Sequence, residues 1–396
     1  MLTDVLLAAL AVTAGFHVVA LVGMAWLLRR QAPPPPAAPD AALPTLAVVV
    51  AARDEAGCIG RCLEALLAQD YPPERLTLIV ADDHSTDGTS EAVARVAAAH
   101  AARAPRLALA GEAEASDADA AAPAVRCLRV PDPEGHLRGK AQALHTAIEA
   151  TQADLFLVTD ADCAPPPTWA RAVATRFATD PSLGIVCGMS RITPRPGRPG
   201  DRAQAVDWAL MIAATAALAE AGLPATGMGN NMGVRRAAYA AVGGYPALPF
   251  SVTEDMTLVR AVAERTPFRV AIPLARDATV WTLPADDLGH AYAQRRRWAR
   301  GGLGGGPAVW AAYVALFVGH ALPLVMLPVA PLAALAALAA MTAADGALVG
   351  VALRRTGPAL RLPDLLGGVA FRLAYLVTLP SVLLLRPQIG WKGRRH

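Results

Sequence analysis

Residues 155–163 read LFLVTDADC, an apolar run followed by two carboxylates one residue apart. The run LFLVT has no helical period, which is typical of a strand buried on both faces of a parallel sheet. Ligands of open α/β sheets bind beyond the carboxyl ends of the strands. Asp160 and Asp162 therefore lie where a ligand is expected, and such a carboxylate pair suits a hard divalent cation that also grips a diphosphate.

The same alternation of strands and helices extends from this run toward the N-terminus. Buried strands are predicted at residues 46–52 (LAVVVAA), 76–81 (LTLIVA) and 125–130, and helices at residues 59–67, 90–102 and 139–150. Residues 103–124 contain the Ala-rich acidic stretch AGEAEASDADAAAPA and are predicted to form a surface loop. This order indicates an α/β domain with a mostly parallel sheet, which we place at residues 46–300.

Membrane segments are predicted at both ends of the chain. Apolar residues make up 54% and charged residues only 17%, below the roughly 25% of soluble chains. Residues 5–28 are apolar over the length that a bilayer requires and are closed by Arg29 and Arg30. A cleaved signal peptide is the alternative, but no basic region precedes the run. We predict an uncleaved anchor at residues 1–30, a Pro-rich linker at 31–45, and a cytoplasmic catalytic domain by the positive-inside rule.

The C-terminal region is predicted to return to the membrane. Residues 307–353 are almost wholly apolar and suit two transmembrane helices with a turn near Pro328 and Pro331. A third segment at residues 364–386 would place the basic tail outside if it spanned, against the positive-inside rule, and it holds Arg372, which is costly in a lipid-facing helix. A re-entrant or interfacial segment is therefore favoured over a spanning one. A basic tail follows at residues 387–396. The net charge of +3, with no basic stripe among aromatics, argues against a nucleic-acid partner.

Two further acidic pairs lie at the ends of predicted strands or helices. Asp82 and Asp83 come after the second strand in VADDHSTDGT, where a carboxylate can accept hydrogen bonds from a uracil ring or a ribose hydroxyl. Glu254 and Asp255 lie in SVTEDMTL at the start of a predicted helix, where one of them can act as general base toward an acceptor hydroxyl. The alternative for both pairs is helix capping.

A basic and aromatic segment, AQRRRWARGG, precedes the C-terminal apolar region. It contains Gln294, Arg297 and Trp298. Arginine can neutralise phosphate oxygens, and the indole face can stack against a sugar or an acceptor. The alternative is a juxtamembrane patch that holds anionic lipid headgroups, to which Arg295, Arg296 and Arg300 can also contribute.

Taken in order, these clusters resemble the family-2 glycosyltransferases with a GT-A fold. The resemblance covers residues 46–298. Its motifs are VVVAARDEAGCIG, VADDHSTDGT, GHLRGKAQAL, TDAD, GMGNNMGVRRAAYAAVGGY, TED and QRRRW. Asp54 in the first motif stands where the family more often has Asn. QRRRW is similar to the Gln-x-x-Arg-Trp motif of the membrane-integrated branch of the family, which implies a GT-A domain flanked by transmembrane helices.

The resemblance implies a nucleotide-sugar donor, expected to be a UDP-sugar, and a Mg²⁺ or Mn²⁺ ion. By the same resemblance, Glu55 and Asp83 contact the nucleoside, and Lys140 lies near the diphosphate. Asp162 is the expected metal ligand, with Asp160 closer to the sugar.

On the acceptor side, the resemblance implies that Asp255 in TED, beside Glu254, is the base. Gln294, Arg297 and Trp298 are expected at the acceptor or the diphosphate. One base and one metal imply direct displacement at the anomeric carbon with inversion.

The Gln-x-x-Arg-Trp motif occurs both in polysaccharide synthases and in lipid glycosyltransferases resembling ceramide glucosyltransferase. The few predicted spans offer little material for a polymer channel, so a membrane lipid is the expected acceptor and a chain-extending polysaccharide synthase the alternative. An inactive membrane scaffold is the alternative of another class, but Asp160, Asp162 and Asp255 are all present. The expected location is the inner (cytoplasmic) membrane, as an integral protein whose catalytic domain faces the cytoplasm.

Overall fold

A computed structural model describes residues 1–110, 124–133, 135–224, 226–302, 307–357, 359–385, 390–391 and 394–395. The chain forms two compact units. The α/β unit comprises Pro33–Ser190 and Thr226–Thr282, and the helical unit comprises Met1–Ala32, Arg191–Ala225 and Leu283–His396.

A seven-stranded sheet in the order β3-β2-β1-β4-β7-β5-β8 organises the α/β unit. Its strands are β1 (Leu46–Ala52), β2 (Leu76–Asp82), β3 (Ala124–Arg129), β4 (Leu155–Asp160), β5 (Leu183–Cys187), β7 (Asn231–Arg235) and β8 (Arg269–Ala271). Two short strands, β6 (Ser190–Ile192) and β9 (Val280–Thr282), lie outside this sheet. Strand β7 runs antiparallel to both neighbours, and the other pairs are parallel, which confirms the mostly parallel sheet predicted from the sequence.

The register brings the carboxyl ends of the first strands to one edge of the sheet. Ala51 lies opposite Asp160 of β4, and Ala52 opposite Asp82 of β2. Strand β1 is central and buried on both faces, which explains why LAVVVAA has no polar alternation. The acidic residues that follow these strands therefore meet at the same edge.

Six helices cover the sheet of the α/β unit. They are α2 (Ile59–Leu67), α3 (Thr89–Ala110), α4 (Lys140–Glu149), α5 (Trp169–Thr179), α7 (Arg236–Ala241) and α8 (Glu254–Arg265). Trp169 and Phe156 are the largest fully buried side chains of this unit. Helix α3 continues to Ala110, past the predicted start of the surface loop, because the Ala-rich sequence has high helix propensity. The remainder of that loop, residues 111–123, lies outside the described residues.

The helical unit contains the apolar ends of the chain. Its helices are α1 (Leu2–Arg29), α6 (Pro199–Glu220), α9 (Leu288–Gly302), α10 (Pro307–Met326), α11 (Pro331–Thr356) and α12 (Leu362–Leu385), and the tail holds β10 (Gly390–Trp391) and β11 (Arg394–Arg395). Among the described residues, three helices are long and apolar enough to cross a bilayer: Leu2–Arg29, Pro331–Thr356 and Leu362–Pro380. The shorter Tyr313–Met326 is also apolar.

Helix α6 belongs to the helical unit, although the sequence-based boundaries place it inside one continuous domain at residues 46–300. Its buried residues include Trp208, Leu210 and Ile212 and lie on several sides of the helix. A helix that is apolar on more than one side is stable only when other helices cover it. Helices α1, α11 and α12 pack against α6 and provide that cover.

The final helix, α12, is continuous, and Arg372 at its centre is buried rather than lipid-facing. The Arg372 guanidinium donates to Asp345 Oδ2 on α11, and His17 Nε2 on α1 lies 3.0 Å from Asp345 Oδ1. The re-entrant interpretation rested on two grounds, the cost of a lipid-facing arginine and the basic tail, which a third span would place outside. The first ground does not apply to the buried Arg372, and the second is unaffected by it.

Residues 33–45, most of the Pro-rich segment predicted as a linker at residues 31–45, are part of the α/β unit. Ala38 and Leu43 are buried, and the Ala38 backbone N–H donates to Thr175 Oγ1 at 3.1 Å. Arg171 on α5 donates to the Ala38 carbonyl at 3.0 Å and to Asp40 at 2.7 Å. The prolines keep the chain extended, and this leaves its carbonyls available to these side chains.

Candidate active site

The turns that follow β1 and β2 are hydrogen-bonded to each other. Asp54 N–H donates to Ser85 Oγ at 3.0 Å, and Thr86 N–H donates back to Asp54 Oδ1 at 2.9 Å. Asp54 and His84 have φ of 52° and 62°, in the left-handed region that non-glycine residues rarely adopt. Such backbone strain is concentrated at functional sites, and here the Asp54 carboxylate is held by Thr86 of the neighbouring turn.

Asp82 and Asp83 have different surroundings. The Asp82 carboxylate accepts from Ser85 N–H at 2.9 Å and from the Ser90 hydroxyl. Burial raises its pKa, but the hydrogen bonds from Ser85 and Ser90 outweigh this and lower it below the usual value. Asp82 therefore fixes the turn between β2 and α3, although among the described residues it caps no helix N–H. Asp83 lies 3.7 Å from Arg53 Nη1 and 3.2 Å from His84 Nδ1, so it faces an arginine and a histidine at the strand end.

Asp160 and Asp162 lie at and just beyond the end of β4, as the sequence predicts. Burial, and then the charges of Asp160 and Glu55, raise the pKa of Asp162 to about 6. Thr282 donates its hydroxyl to Asp162 Oδ2 at 3.2 Å. A carboxylate crowded by other carboxylates gains most from a cation, and this chemistry fits a divalent metal.

Among the described residues, no group of three or more His, Cys, Asp or Glu side chains is placed to hold a metal alone. Mg²⁺ in nucleotide enzymes is held by one or two carboxylates together with substrate phosphates rather than by a complete protein cage. The pair Asp160 and Asp162 suits that mode of binding, in which the donor supplies the remaining oxygens.

Lys140 connects the metal-side carboxylates to the TED motif. Its Nζ lies 2.6 Å from Asp160 Oδ1, 3.2 Å from Glu254 Oε1 and 3.3 Å from the Gly229 carbonyl. Burial alone would lower the pKa of Lys140, but Asp160 and Glu254 raise it above its usual value, so the ammonium stays charged. The structure thus brings Lys140, Asp160 and Glu254 together at one place.

Asp255 is held by backbone donors at the start of α8. Gly229 N–H donates to Asp255 Oδ2 at 2.8 Å, and Met256 N–H donates to Oδ1 at 2.9 Å. Burial and the charge of Glu254 raise the pKa of Asp255 to about 6, partly offset by Lys140. A carboxylate with a pKa near the working pH suits a general base. Glu254, in contrast, is buried and paired with Lys140.

Gln294, Arg297 and Trp298 lie on α9 of the helical unit, and all three are half-buried. The Trp298 ring lies 4.8 Å from that of Trp208 between centroids. Arg295 is 3% exposed and bonded to Asp207, so it does not contribute to a headgroup patch as the sequence allowed. Its neighbour Arg300 is exposed.

Two residues that position these side chains were missed by sequence reasoning. Gly229 orients Asp255 through its backbone, and an added Cβ at Gly229 would lie 3.1 Å from Asp255 Oδ2. The motif GMGNN marked this segment without indicating that partner. Thr282 comes from a strand far along the chain, and nothing in its local sequence points to Asp162.

Comparison with known proteins identifies the family of the chain. Residues 44–301 match the family described as glycosyltransferase like family 2. The beta-monoglucosyldiacylglycerol synthase of Synechocystis sp. (strain ATCC 27184 / PCC 6803 / Kazusa) is 26% identical over 261 residues, which are 65% of this chain. The chain spans 48% of that relative's length, about half.

A similar solved structure is the mannosyltransferase PcManGT from Pyrobaculum calidifontis, in complex with GDP-Man and Mn²⁺. It is 26% identical, with a TM-score of 0.57, and the match covers 96% of this chain and 99% of that chain. The family match spans more than half of the chain and includes every strand of the sheet. The chain therefore belongs to glycosyltransferase family 2, a family of enzymes, and its α/β unit has the GT-A fold.

Proposed function

We propose that the chain transfers a sugar from a nucleotide-sugar to a membrane lipid, with inversion and with Mg²⁺ or Mn²⁺. The observation that carries this proposal is the position of Lys140 between Asp160 at the end of β4 and Glu254 beside Asp255. One half-buried cation thereby joins the carboxylates suited to the donor diphosphate to those suited to an acceptor hydroxyl.

On the donor side, Glu55 and Asp83 are the proposed nucleoside contacts, and a UDP-sugar is the proposed donor. Support comes from the strained, hydrogen-bonded turns after β1 and β2, which fix the backbone around Asp83. PcManGT was solved with GDP-Man, so a guanine nucleotide is the donor to test beside uridine nucleotides.

Asp162, with Asp160, is the proposed metal site. When bound, Mg²⁺ or Mn²⁺ supplies a Lewis acid that neutralises charge on the departing nucleoside diphosphate. Lys140 adds a fixed positive charge on the same side, where a preorganised cation stabilises developing negative charge.

On the acceptor side, Asp255 is the proposed base. The acceptor hydroxyl oxygen bonds to the anomeric carbon as the bond to the leaving phosphate oxygen breaks, and the hydroxyl proton passes to Asp255. Glu254 holds Lys140, and a paired carboxylate is a weaker base than one whose pKa is raised. A single displacement of this kind inverts the anomeric configuration. Gln294, Arg297 and Trp298 are proposed to serve the acceptor or the diphosphate.

A lipid acceptor and a membrane location are supported by the apolar helices and by the curated relative. The three candidate spans provide an anchor at which a lipid hydroxyl is available. The similar Synechocystis protein is a synthase of a glucosyldiacylglycerol. The arginines that close α1 and α11 favour a cytoplasmic catalytic unit at the inner membrane.

The test is a transfer assay with the full-length protein in lipid nanodiscs. UDP-glucose, UDP-galactose and GDP-mannose are each supplied with Mn²⁺ and with a diacylglycerol or a sphingoid alcohol, and nucleoside diphosphate release and labelled lipid are measured. Asp255→Asn is expected to abolish both. Glu264→Gln, an exposed carboxylate on the same helix, is the matched control and is expected to behave as wild type.

A lipid-extractable product whose anomeric configuration is opposite to that of the donor supports the proposal. A water-soluble polymer as the sole product contradicts the lipid acceptor. Release by Asp255→Asn at the wild-type rate contradicts the assigned base. No release with any donor contradicts the proposed activity itself.

A further inference from the structure

A buried ion pair joins three helices of the helical unit. Arg295 Nε and Nη2 on α9 donate to Asp207 Oδ2 on α6 at 3.0 and 2.9 Å, and these side chains are 2% and 0% exposed. The Tyr375 hydroxyl on α12 donates to the other oxygen, Asp207 Oδ1, at 3.0 Å. A charge pair so completely removed from water is tolerated only when its hydrogen-bonding groups are satisfied, and both oxygens of Asp207 are.

Arg295 also contacts the two motif residues on either side of it. Its Nη1 donates to Gln294 Oε1 at 2.9 Å. Its guanidinium carbon lies 4.5 Å from the centroid of the Trp298 ring, within the range of a cation–π contact. The Trp298 ring also packs against the ring of Trp208 on α6.

The chemistry of arginine fixes the orientation of the Gln294 amide. A guanidinium has five N–H donors and no acceptor, so the Gln294 group that faces Arg295 must be the carbonyl oxygen. The Gln294 amino group is then directed elsewhere and can donate to a phosphate or hydroxyl oxygen. A glutamine free to flip would present a donor only part of the time.

We propose that Asp207, Arg295 and Tyr375 are positioning residues for sugar transfer. Asp207 and Tyr375 hold the Arg295 guanidinium, and Arg295 in turn keeps Gln294 oriented as a hydrogen-bond donor and restrains the Trp298 ring. The inference rests on the proposed function, in which Gln294 and Trp298 serve the acceptor or the diphosphate. It also assigns a role to Tyr375, a residue of a candidate membrane span far from the motif in sequence.

The first test removes one hydroxyl. Tyr375→Phe keeps the ring and deletes the bond to Asp207, and we expect kcat to fall about five- to tenfold while KM for the nucleotide-sugar stays unchanged. Tyr292→Phe is the matched control, because among the described residues the buried Tyr292 hydroxyl has no hydrogen-bond partner, although its ring packs in the same cluster. Equal activity of the two variants overturns the proposal.

A double-mutant cycle separates positioning from mere stability. Asp207→Asn is expected to lower kcat about ten- to a hundredfold in the wild-type background, and several-fold less than that in a Gln294→Ala background, because one of the two residues through which it acts is then absent. Thermal unfolding should report the same loss of stability in both backgrounds. A loss of kcat that is unaffected by Gln294→Ala overturns the proposal, as does full activity of Gln294→Ala alone. Wild-type transfer activity, measured alongside, tests the proposed function separately.

Discussion

Lys140 Nζ lies 2.6 Å from Asp160 Oδ1. Lys140 is the first residue of α4, and Asp160 is the last residue of β4. The preceding Gly139 has a φ of 64°, a conformation that glycine adopts without steric cost and that lets the helix begin at Lys140. Since the same ammonium lies 3.2 Å from Glu254, it pairs with two carboxylates in one site. Substitutions at this residue should therefore affect both the proposed diphosphate side and the proposed base.

Lys140→Gln should lower kcat about 10²- to 10³-fold, because a preorganised donor aimed at developing charge is lost. The glutamine retains hydrogen-bonding capacity and similar length, so the loss reports on charge. Steady-state release of nucleoside diphosphate provides the measurement. Arg95→Gln on α3 removes an exposed positive charge from the same unit and should leave kcat unchanged. A Lys140→Gln enzyme within twofold of wild type would show that Lys140 plays no part in transfer.

The pH profile should have an acid limb near pH 6, set by Asp255. Its pKa is raised from 3.8 to about 6, and only the ionised form accepts a proton, so kcat/KM should fall about tenfold per unit below pH 6. Lys140 lowers this pKa, so Lys140→Gln should move the limb to higher pH. A profile that stays flat from about pH 4.5 to 7, or a limb that moves to lower pH in the variant, contradicts this assignment.

The raised pKa of Asp255 also makes the free energy of unfolding depend on pH. The folded state holds the Asp255 proton more tightly than the unfolded state, so this group's stabilising contribution is complete below pH 3.8 and is lost as the pH rises through about 6. In Asp255→Asn, the free energy of unfolding should therefore decline less between these two pH values than in wild type. Denaturant titrations across this window measure the difference. An unchanged slope would show that the pKa is not raised.

Thr282→Val should weaken activation by Mn²⁺ about tenfold, since groups that orient a metal ligand contribute to metal affinity. The Thr282 hydroxyl donates to Asp162 at 3.2 Å, and valine preserves the branched shape. The measurement is the Mn²⁺ concentration that gives half-maximal activity. Thr179→Val, whose hydroxyl bonds its own helix at 2.9 Å, is the control. If both variants need the same Mn²⁺ as wild type, Thr282 does not act on the metal site.

Strands β1 to β4 of the sheet were predicted from sequence, whereas β5, β7 and β8 and the partners of the site residues were not. LAVVVAA and LFLVT are buried on both faces, so their apolar runs give the strand positions directly. Periodicity carries no information on contacts between distant segments. The bond from Gly229 to Asp255 and the pairing of Arg295 with Asp207 are of this kind. Arg295 also resembled a surface charge in sequence, because burial of an arginine depends on a partner elsewhere in the chain.

Removing one partner of the buried Arg372 and Asp345 pair should destabilise the protein strongly, whereas removing both partners together should cost little stability. Asp345→Leu leaves the Arg372 charge uncompensated among apolar helices, so we expect the free energy of unfolding to fall by about 3–5 kcal/mol. Asp345→Leu combined with Arg372→Leu removes both charges and should recover most of that loss, since buried ion pairs replaced by apolar residues are often neutral for stability.

Thermal unfolding of the full-length protein in detergent measures both variants. His17→Phe should have a smaller effect than Asp345→Leu, because Arg372 keeps its carboxylate when the imidazole, 3.0 Å from the other Asp345 oxygen, is replaced. A double variant that is less stable than Asp345→Leu would mean that the charges do more than neutralise each other. That result would place a further charged or polar ligand of Arg372 in the helical unit, in addition to Asp345.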